Sequence, residues 1–491
     1  MEPTATAEAG PSRSTRPNII YVLADQHRHD AMSGAGHPVV VTPNLDRLAA
    51  EGTHFATVWC QSPVCQSSRA SITTGRHVEN HGVSRNFVVD FDPTWPTFMK
   101  HLRSAGYVTA NVGKTHFFTP ARPQNDETVD LGDVYGEFVS SFGYDHVVEE
   151  FDRYLHVSPR FSTPYTRFLE DAGAIAPYRE AVKAVFRLTP QHWDGVVSPL
   201  PKGLDLTTFL TDQAIDWIES QRTRSEPFFL QLSYVAPHVP LMGDPEWSDY
   251  YRGVDVPPRI ARPVVPATPA WGAYVETLWK HSNTHLLSDE YVARGARQYF
   301  AMVSLIDESI GRLLAVLERT GQLANTWILY SADHGEMLGD HQLMAKMNFY
   351  RSSVQVPAII RAPDQQHRAV SRFTGPIESV DLTSTILDIA GAAPLDPCDG
   401  RSLLPVMRQA NVEHRDIMIS EISADLGAER NFVALSDGSV RVTFERSTGE
   451  LCEAFDLSTD PNELENLVQD ASGLEIVSKL ANALEAEGFA P

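Results

Sequence analysis

The stretch N-I-I-Y-V-L-A-D-Q, residues 18–26, runs through six apolar residues after Asn18 and stops at Asp25 and Gln26. A short apolar run without polar alternation predicts a strand buried on both faces, the kind found in parallel sheets covered by helices. In open α/β sheets ligands gather beyond the carboxyl ends of such strands, so Asp25 and Gln26 become candidate site residues. Taken alone, an Asp after a strand is as readily a turn residue.

Outward from this run the same pattern recurs. Residues 107–112 form a second run leading into G-K-T-H, with Lys114 and His116 just past its end. Residues 227–235 (P-F-F-L-Q-L-S-Y-V) form a third, followed by A-P-H-V-P with His238 between two prolines, and residues 326–332 (T-W-I-L-Y-S-A) a fourth, which delivers Asp333 and His334 into a loop carrying Lys346. Residues 356–360 predict a fifth strand. Helical spacing predicts helices over 42–52, 97–105, 206–221 and, longest, 287–320. Beyond a loosened stretch at 362–375, a helix over 381–389 precedes short strands near 416–421, 432–436, 440–445 and 454–456, which predict an antiparallel sheet. The segment D-P-N-E-L-E-N-L is expected to open a final helix. The expected organisation is α/β: a tail over 1–16, a catalytic domain over 17–370 and a C-terminal α+β subdomain over 371–491. Residues 127–203 read as an insertion of loops and short helices that could cover the site as a lid.

Composition narrows the function. The 491 residues carry 63 acidic and 40 basic side chains, a net charge of −23, which argues against nucleic acid or an anionic membrane surface as partner. An anionic substrate then needs a locally positive pocket. Four cysteines are too few and scattered for a disulfide framework and fit a reducing compartment. Residues 1–16 lack an apolar core and read as a disordered tail, not a signal peptide; no apolar run reaches membrane-spanning length, and a cytoplasmic enzyme is expected.

The stretch Q-S-P-V-C-Q-S-S-R-A-S-I-T-T-G-R-H-V-E-N-H-G, residues 61–82, places Cys65 at a predicted helix start, where unpaired N–H groups favour an anion, and Arg69 one turn on. A lone cysteine there is more often structural. Each strand-end lysine or histidine likewise has a bland explanation, but four strands discharging Asp, Lys or His at the same end converge in space. Asp25 and Asp333 are hard donors for a divalent cation that Gln26 and His334 can complete. That cation, Arg69, Lys114 and Lys346 suit the oxygens of a sulfate or phosphate ester, and His116 and His238 can move protons.

The run C-Q-S-S-R followed by A-S-I-T-T-G-R resembles the signature of type I sulfatases in the alkaline phosphatase superfamily. V-L-A-D-Q, T-P-N-L-D-R-L-A, G-K-T-H, A-P-H-V-P, S-A-D-H-G-E-M-L-G-D-H, K-M-N-F-Y-R-S-S-V-Q-V-P, V-D-L-T-S-T-I-L-D-I-A-G and F-D-L-S-T-D-P-N-E-L-E-N-L extend it from about Pro17 to Asp470. The resemblance implies an alkaline phosphatase-like fold with a large, mixed, mostly parallel sheet flanked by helices. It further implies oxidation of Cys65 to formylglycine by a formylglycine-generating enzyme. One hydroxyl of the aldehyde hydrate would attack sulfur and expel the alcohol, and the second would lose its proton as sulfate leaves by elimination. Arg69 and Lys114 would fix the hydrate, His116 would assist sulfate release, and Lys346 with His238 would contact the ester oxygens.

The chain departs from the pattern at Ser67, where the family usually has Pro and sometimes Ala. At the metal, the commonest sulfatases have a second Asp after the first and an Asn after the later one; here the pairs are Asp25-Gln26 and Asp333-His334. That variant is similar to phosphonate monoester and phosphodiester hydrolases, and His after the later Asp also occurs in choline sulfatases, whereas Lys114 and His116 match the sulfatase pair. The expected function is sulfate monoester hydrolysis. The alternatives are a phosphonate or phosphate diester hydrolase and a catalytically silent sulfate-ester-binding relative. One metal ion is expected on Asp25, Gln26, Cys65, Asp333 and His334, manganese favoured over calcium because an imidazole joins the shell. A homo-oligomer is left open.

Overall fold

The structure, a computed structural model, describes residues 16–470 except 88–89, 121–127, 188–192, 264–267, 283–287, 365, 410 and 426–428, with scattered positions between 473 and 485. Residues 1–15 of the expected tail over 1–16, and most of the chain after 470, lie outside the described residues.

The main sheet contains β1 (Asn18–Asp25), β2 (Thr53–Phe55), β3 (Val108–Gly113), β4 (His146–Glu149), β5 (Phe228–Pro237), β6 (Thr326–Ala332), β7 (Ala358–Arg361) and β8 (Arg372–Phe373). Their order is β8-β2-β7-β6-β1-β5-β3-β4. The block β6-β1-β5-β3-β4 is parallel; β7 alone runs against its neighbours β6 and β2. β1 is central because its apolar run finds a parallel partner on each side, and every residue from Ile19 to Asp25 is buried.

Helices α1 (Pro43–Ala50), α2 (Cys65–Thr74), α3 (Phe98–Ser104), α4 (Leu206–Ser220), α5 (Asp289–Arg319) and α6 (Ser379–Ala390) flank this sheet. The long α5 follows from its sequence. Ser288 caps it by accepting from the Tyr291 N–H at 3.2 Å, Asp289 and Glu290 sit at its positive end, and its apolar stripe from Phe300 to Leu317 is buried. α6 packs on α2 and α3. Beyond it, β9 (Met418–Asp425), β10 (Glu429–Ser436), β11 (Val440–Glu445) and β12 (Glu450–Asp456) form a sequential antiparallel sheet. This smaller sheet has its own apolar cluster around Ile419, Leu435 and Val442, and Trp271 joins it to the rest by packing on Phe349 and Phe432. β8 and α6, both beyond residue 370, pack with the main sheet and with α2.

Two expectations are corrected. Residues 127–203 are more than loops and short helices, because His146–Glu149 supplies β4, the edge of the main sheet beside β3. Only one of its four residues is fully buried, so its sequence lacks the apolar run that marks a central strand. D-P-N-E-L-E-N-L does not open a helix. Asp460 Oδ2 accepts from the Leu464 and Glu465 N–H groups, Glu463 adopts φ 54°, and a single helical turn stands at Leu467–Gln469. Such side-chain bonding offers the backbone an alternative to helix. Among the described residues no helix is long and apolar enough to cross a membrane.

Candidate active site

Four adjacent parallel strands end on one side of the sheet and bring the candidates together. β1 ends at Asp25, with Gln26 next in a left-handed conformation (φ 73°). β6 leads into Asp333 and His334, β5 into His238, and β3 through Gly113 into Lys114 and His116. Gly113 must be glycine: its φ is 109°, and a Cβ there would lie 1.9 Å from the Ser233 carbonyl oxygen. α2 supplies Cys65 as its first residue and Arg69 one turn later, and all ten of its residues are buried.

One ligand atom each from Asp25, Cys65, Asp333 and His334 lies within 4.8 Å of the others. His334 Nε2 is 3.7 Å from Asp25 Oδ1, 3.5 Å from Asp333 Oδ1 and 3.1 Å from Cys65 Sγ. Its Nδ1 lies 3.0 Å from the Gly335 carbonyl, which can only accept, so Nδ1 carries the hydrogen and the Nε2 lone pair faces the cluster. Burial, aided by Lys346 against the pull of Asp333 and Asp25, pushes the His334 pKa down to about 4, which keeps the ring neutral. The backbone N–H groups of Gln26 and His334 donate to Asp333 Oδ1 at 3.0 and 2.9 Å, and Arg69 Nε donates to Oδ2 at 2.8 Å. Two carboxylates and an imidazole with its tautomer set make a donor set that fits a divalent cation. Gln26 stands beside it, its Oε1 accepting from Lys346 Nζ at 2.7 Å and its Nε2 donating to Glu336.

The cations surround this cluster. Lys114 Nζ lies 2.6 Å from Asp25 Oδ2 and 2.5 Å from Asp152 Oδ1. Lys346 Nζ lies 2.9 Å from Cys65 Sγ. Arg69 also donates to Ser233 Oγ at 2.9 Å, the Lys114 carbonyl at 2.5 Å and Asp25 Oδ2 at 3.4 Å. Burial alone would raise the Asp25 pKa, but Lys114, His238, Lys346 and Arg69 together hold it well below the usual carboxylate range. Burial opposes the charge on Lys114, yet Asp152 and Asp25 lift its pKa well above normal. His116 is buried with φ 60°, and neither ring nitrogen has a hydrogen-bond partner among the described residues. Its burial, reinforced by Lys114, keeps it neutral. His238 Nδ1 lies 2.9 Å from the Val239 carbonyl and 3.7 Å from Asp152 Oδ1.

All the predicted site residues therefore meet in one place, and two unpredicted ones join them. Asp152 reaches the site from residues 127–203. It too follows a strand end, a signal hidden because β4 did not read as a strand. Glu336 accepts from Gln26 Nε2 and, through Oε1, from the Leu338 and Ala345 N–H groups at 2.8 and 2.7 Å, pinning the loop that presents Lys346. No separate sequence signal marks it among the acids of that loop.

The sulfatase family profile matches residues 17–392, and the profile of the N-sulphoglucosamine sulphohydrolase C-terminal region matches residues 339–488. A multifunctional alkaline phosphatase superfamily protein of Trinickia caryophylli is 29% identical over 95% of this chain and 94% of its own. A choline-sulfatase of Rhizobium meliloti is 29% identical over 93% of this chain and 83% of its own. The crystal structure of the phosphonate monoester hydrolase of Agrobacterium radiobacter superposes with a TM-score of 0.75, covering 96% of each chain at 23% identity, a likeness of fold.

Proposed function

The chain belongs to the sulfatase family, and from its site we propose that it cleaves a sulfate monoester to alcohol and sulfate through a nucleophile at position 65, formed by oxidation of Cys65 to formylglycine. The observation that carries this reading is the placement of Cys65 Sγ at the first residue of a buried helix, 2.9 Å from Lys346 Nζ and 3.1 Å from His334 Nε2. As a formylglycine hydrate, position 65 offers one hydroxyl to attack sulfur and a second whose deprotonation expels sulfate and restores the aldehyde.

Asp25, Asp333 and His334 would hold one divalent cation together with an oxygen at position 65. Gln26 stands in or next to that shell, and manganese is favoured over calcium because one donor is an imidazole nitrogen. When bound, the cation supplies positive charge against the nonbridging oxygens of the ester. The protein's own residues do the rest. Arg69 and Lys114 orient the position-65 oxygens from behind, each already anchored on carboxylates. Lys346, in reach of whatever is bonded at position 65, neutralises an ester oxygen, with His238 on the Asp152 side. His116, neutral and with both ring nitrogens unpartnered among the described residues, accepts the proton released as sulfate departs.

The pair Lys114 and His116 supports sulfate over phosphonate. One resemblance favours a second activity: the pairs Asp25-Gln26 and Asp333-His334 are similar to the pattern of phosphonate and phosphodiester hydrolases, and such hydrolases share the fold. The cations read charge and shape more than the central atom, so phosphonate monoesters and phosphate diesters should be slower substrates. The unpaired state of Cys60, Cys65, Cys398 and Cys452 supports a reducing, cytoplasmic setting, where a formylglycine-generating enzyme would be the maturation partner.

The experiment joins two measurements. Peptide mass analysis of active enzyme should find formylglycine at position 65, and a panel with matched leaving groups should give the highest kcat/KM for sulfate monoesters. Fully active enzyme with unmodified Cys65, or an active Cys65→Ala variant, would remove the mechanism. A reversed preference across the panel would establish the phosphonate reading instead.

A further inference from the structure

Glu149 is a buried acid that the proposed reaction does not use. It ends β4, where it pairs with Gly113 of β3. Its neighbours have other tasks: Glu150 turns away to the Tyr165 N–H at 2.6 Å and His156 Nε2 at 3.2 Å, and Asp152 returns to the site on Lys114. Glu149 Oε1 accepts both the backbone N–H and the hydroxyl of Thr115, each at 2.8 Å, while Oε2 accepts from Asn111 Nδ2 at 3.3 Å. Thr115 is the residue between Lys114 and His116. The Lys114 backbone is fixed from the β5 side, its N–H donating to the Ser233 carbonyl at 3.0 Å and its carbonyl accepting from Arg69 at 2.5 Å. The His116 ring has no such tie: neither nitrogen has a hydrogen-bond partner among the described residues, and the ring rests against Phe87 with centroids 5.5 Å apart. Its backbone stands at φ 60°, a left-handed conformation that persists only where the surroundings impose it. The two bonds from Thr115 to Glu149 act on the residue directly before it. Burial, only partly offset by the Thr115 bonds and Arg69, pushes the Glu149 pKa up to about 8, so at neutral pH the group is mostly an uncharged acid. What it offers the loop is an oxygen at a fixed reach, not a charge.

We propose that Glu149 is a positioning residue for the reaction: by holding Thr115 it sets where Lys114 and His116 stand relative to position 65. The inference rests on the sulfate-ester reading of the site. In that reading the free hydroxyl at position 65 gives its proton to His116, the bond from the position-65 carbon to the sulfate oxygen breaks, sulfate leaves with the bonding pair, and the aldehyde re-forms. A displaced His116 slows this release more than it weakens binding of the ester, which falls to Lys346. A shift of about 1 Å is enough to cost about 10²-fold.

The test separates reach from charge. Glu149→Gln keeps an oxygen at the same reach, whereas Glu149→Asp keeps the carboxyl but withdraws it by a methylene. Each is compared with wild type, all matured at position 65, on whichever of phenyl, methyl and glucose 6-sulfates wild type turns over fastest. Melting temperature, kcat and KM are read, with mass analysis of the position-65 peptide quenched during turnover. Glu149→Gln should keep kcat within about threefold of wild type, and Glu149→Asp should lose about tenfold to hundredfold in kcat with KM unchanged or lower. In Glu149→Asp the sulfated position-65 peptide should also accumulate. A merely structural residue would lower the melting temperature and the amount of active enzyme without changing which step limits, and no sulfated peptide would build up. That result, or Glu149→Asp equal to wild type, or Glu149→Gln as slow as Glu149→Asp, would overturn the assignment while the sulfatase reading stands. Absence of turnover of every sulfate ester by wild type matured at position 65 would bring down both.

Discussion

Lys346→Met is the most informative single change. Lys114 and Arg69 each spend their charge on carboxylates, Asp25 and Asp152 for the first, Asp333 and Asp25 for the second. Among the described residues no carboxylate lies within ion-pair distance of Lys346, whose ammonium instead meets Cys65 Sγ at 2.9 Å and Gln26 Oε1 at 2.7 Å. Burial works against its charge, but Cys65, Asp25 and Asp333 raise its pKa above the ordinary value, so it is cationic at neutral pH. Its full charge is therefore available to the ester. Removing one pre-positioned donor of this kind costs about 3 kcal/mol, roughly 10²–10³-fold in kcat. Methionine matches the lysine stem in length, so the melting temperature should move little. Lys346→Arg should not restore the rate, because a planar fork does not replace a point charge. Steady-state kinetics on an aryl sulfate, paired with a melting curve, reads both quantities. A kcat within about threefold of wild type, with folding intact, would refute the idea that this ammonium stabilises developing charge.

Three further outcomes follow from other contacts. His77 is buried against Glu378, Nε2 to Oε2 at 2.9 Å; burial lowers its pKa, but the carboxylate outweighs it and lifts the folded value from 6.5 to about 9. Its contribution, about 3 kcal/mol, is thus complete below pH 6.5 and lost as pH rises towards 9; denaturant melts of His77→Gln should show a flatter profile across this window, and parallel profiles would exclude the linkage. Asp152→Asn keeps the shape but removes the second carboxylate on Lys114, and should cost about 1.5–3 kcal/mol of stability in denaturant melts together with a drop in kcat/KM; a variant equal to wild type in both would show that Asp152 is a bystander. His334→Asn replaces the nitrogen donor by an oxygen, so metal-stripped variant should be reactivated better by calcium than by manganese, reversing the wild-type order; calcium alone restoring wild type would defeat the ligand argument.

The site was legible because buried strands advertise themselves: β1, β3, β5 and β6 each present an apolar run whose last residue hands over to Asp, Lys or His. Parallel topology then carries those residues to one edge, so a linear pattern becomes a spatial one. Legibility failed where the local signal was weak. β4 is a half-buried edge strand, so H-V-V-E does not stand out and Asp152 behind it went unseen. The helix expected to open at D-P-N-E-L-E-N-L failed for another reason: Asp460 captures two backbone N–H groups and holds the segment in a turn. The strained backbones of Phe87, His116 and Met347 have no sequence signature, because their conformation is imposed by contacts distant in the chain.

The burial of α2 has a consequence for how the enzyme comes to exist. Cys65 is 1% exposed, and Arg69 ties its helix to the ends of β1, β3, β5 and β6 at once. A modifying enzyme of the kind proposed would have to reach the chain around the cysteine, and residues 61–74 are all buried in the folded protein. On the proposed maturation, oxidation of Cys65 would be a race against docking of this helix, decided before the chain folds. Changes that speed folding should then lower the fraction of converted molecules, and a molecule that folds first would keep Cys65 as cysteine until it unfolds again.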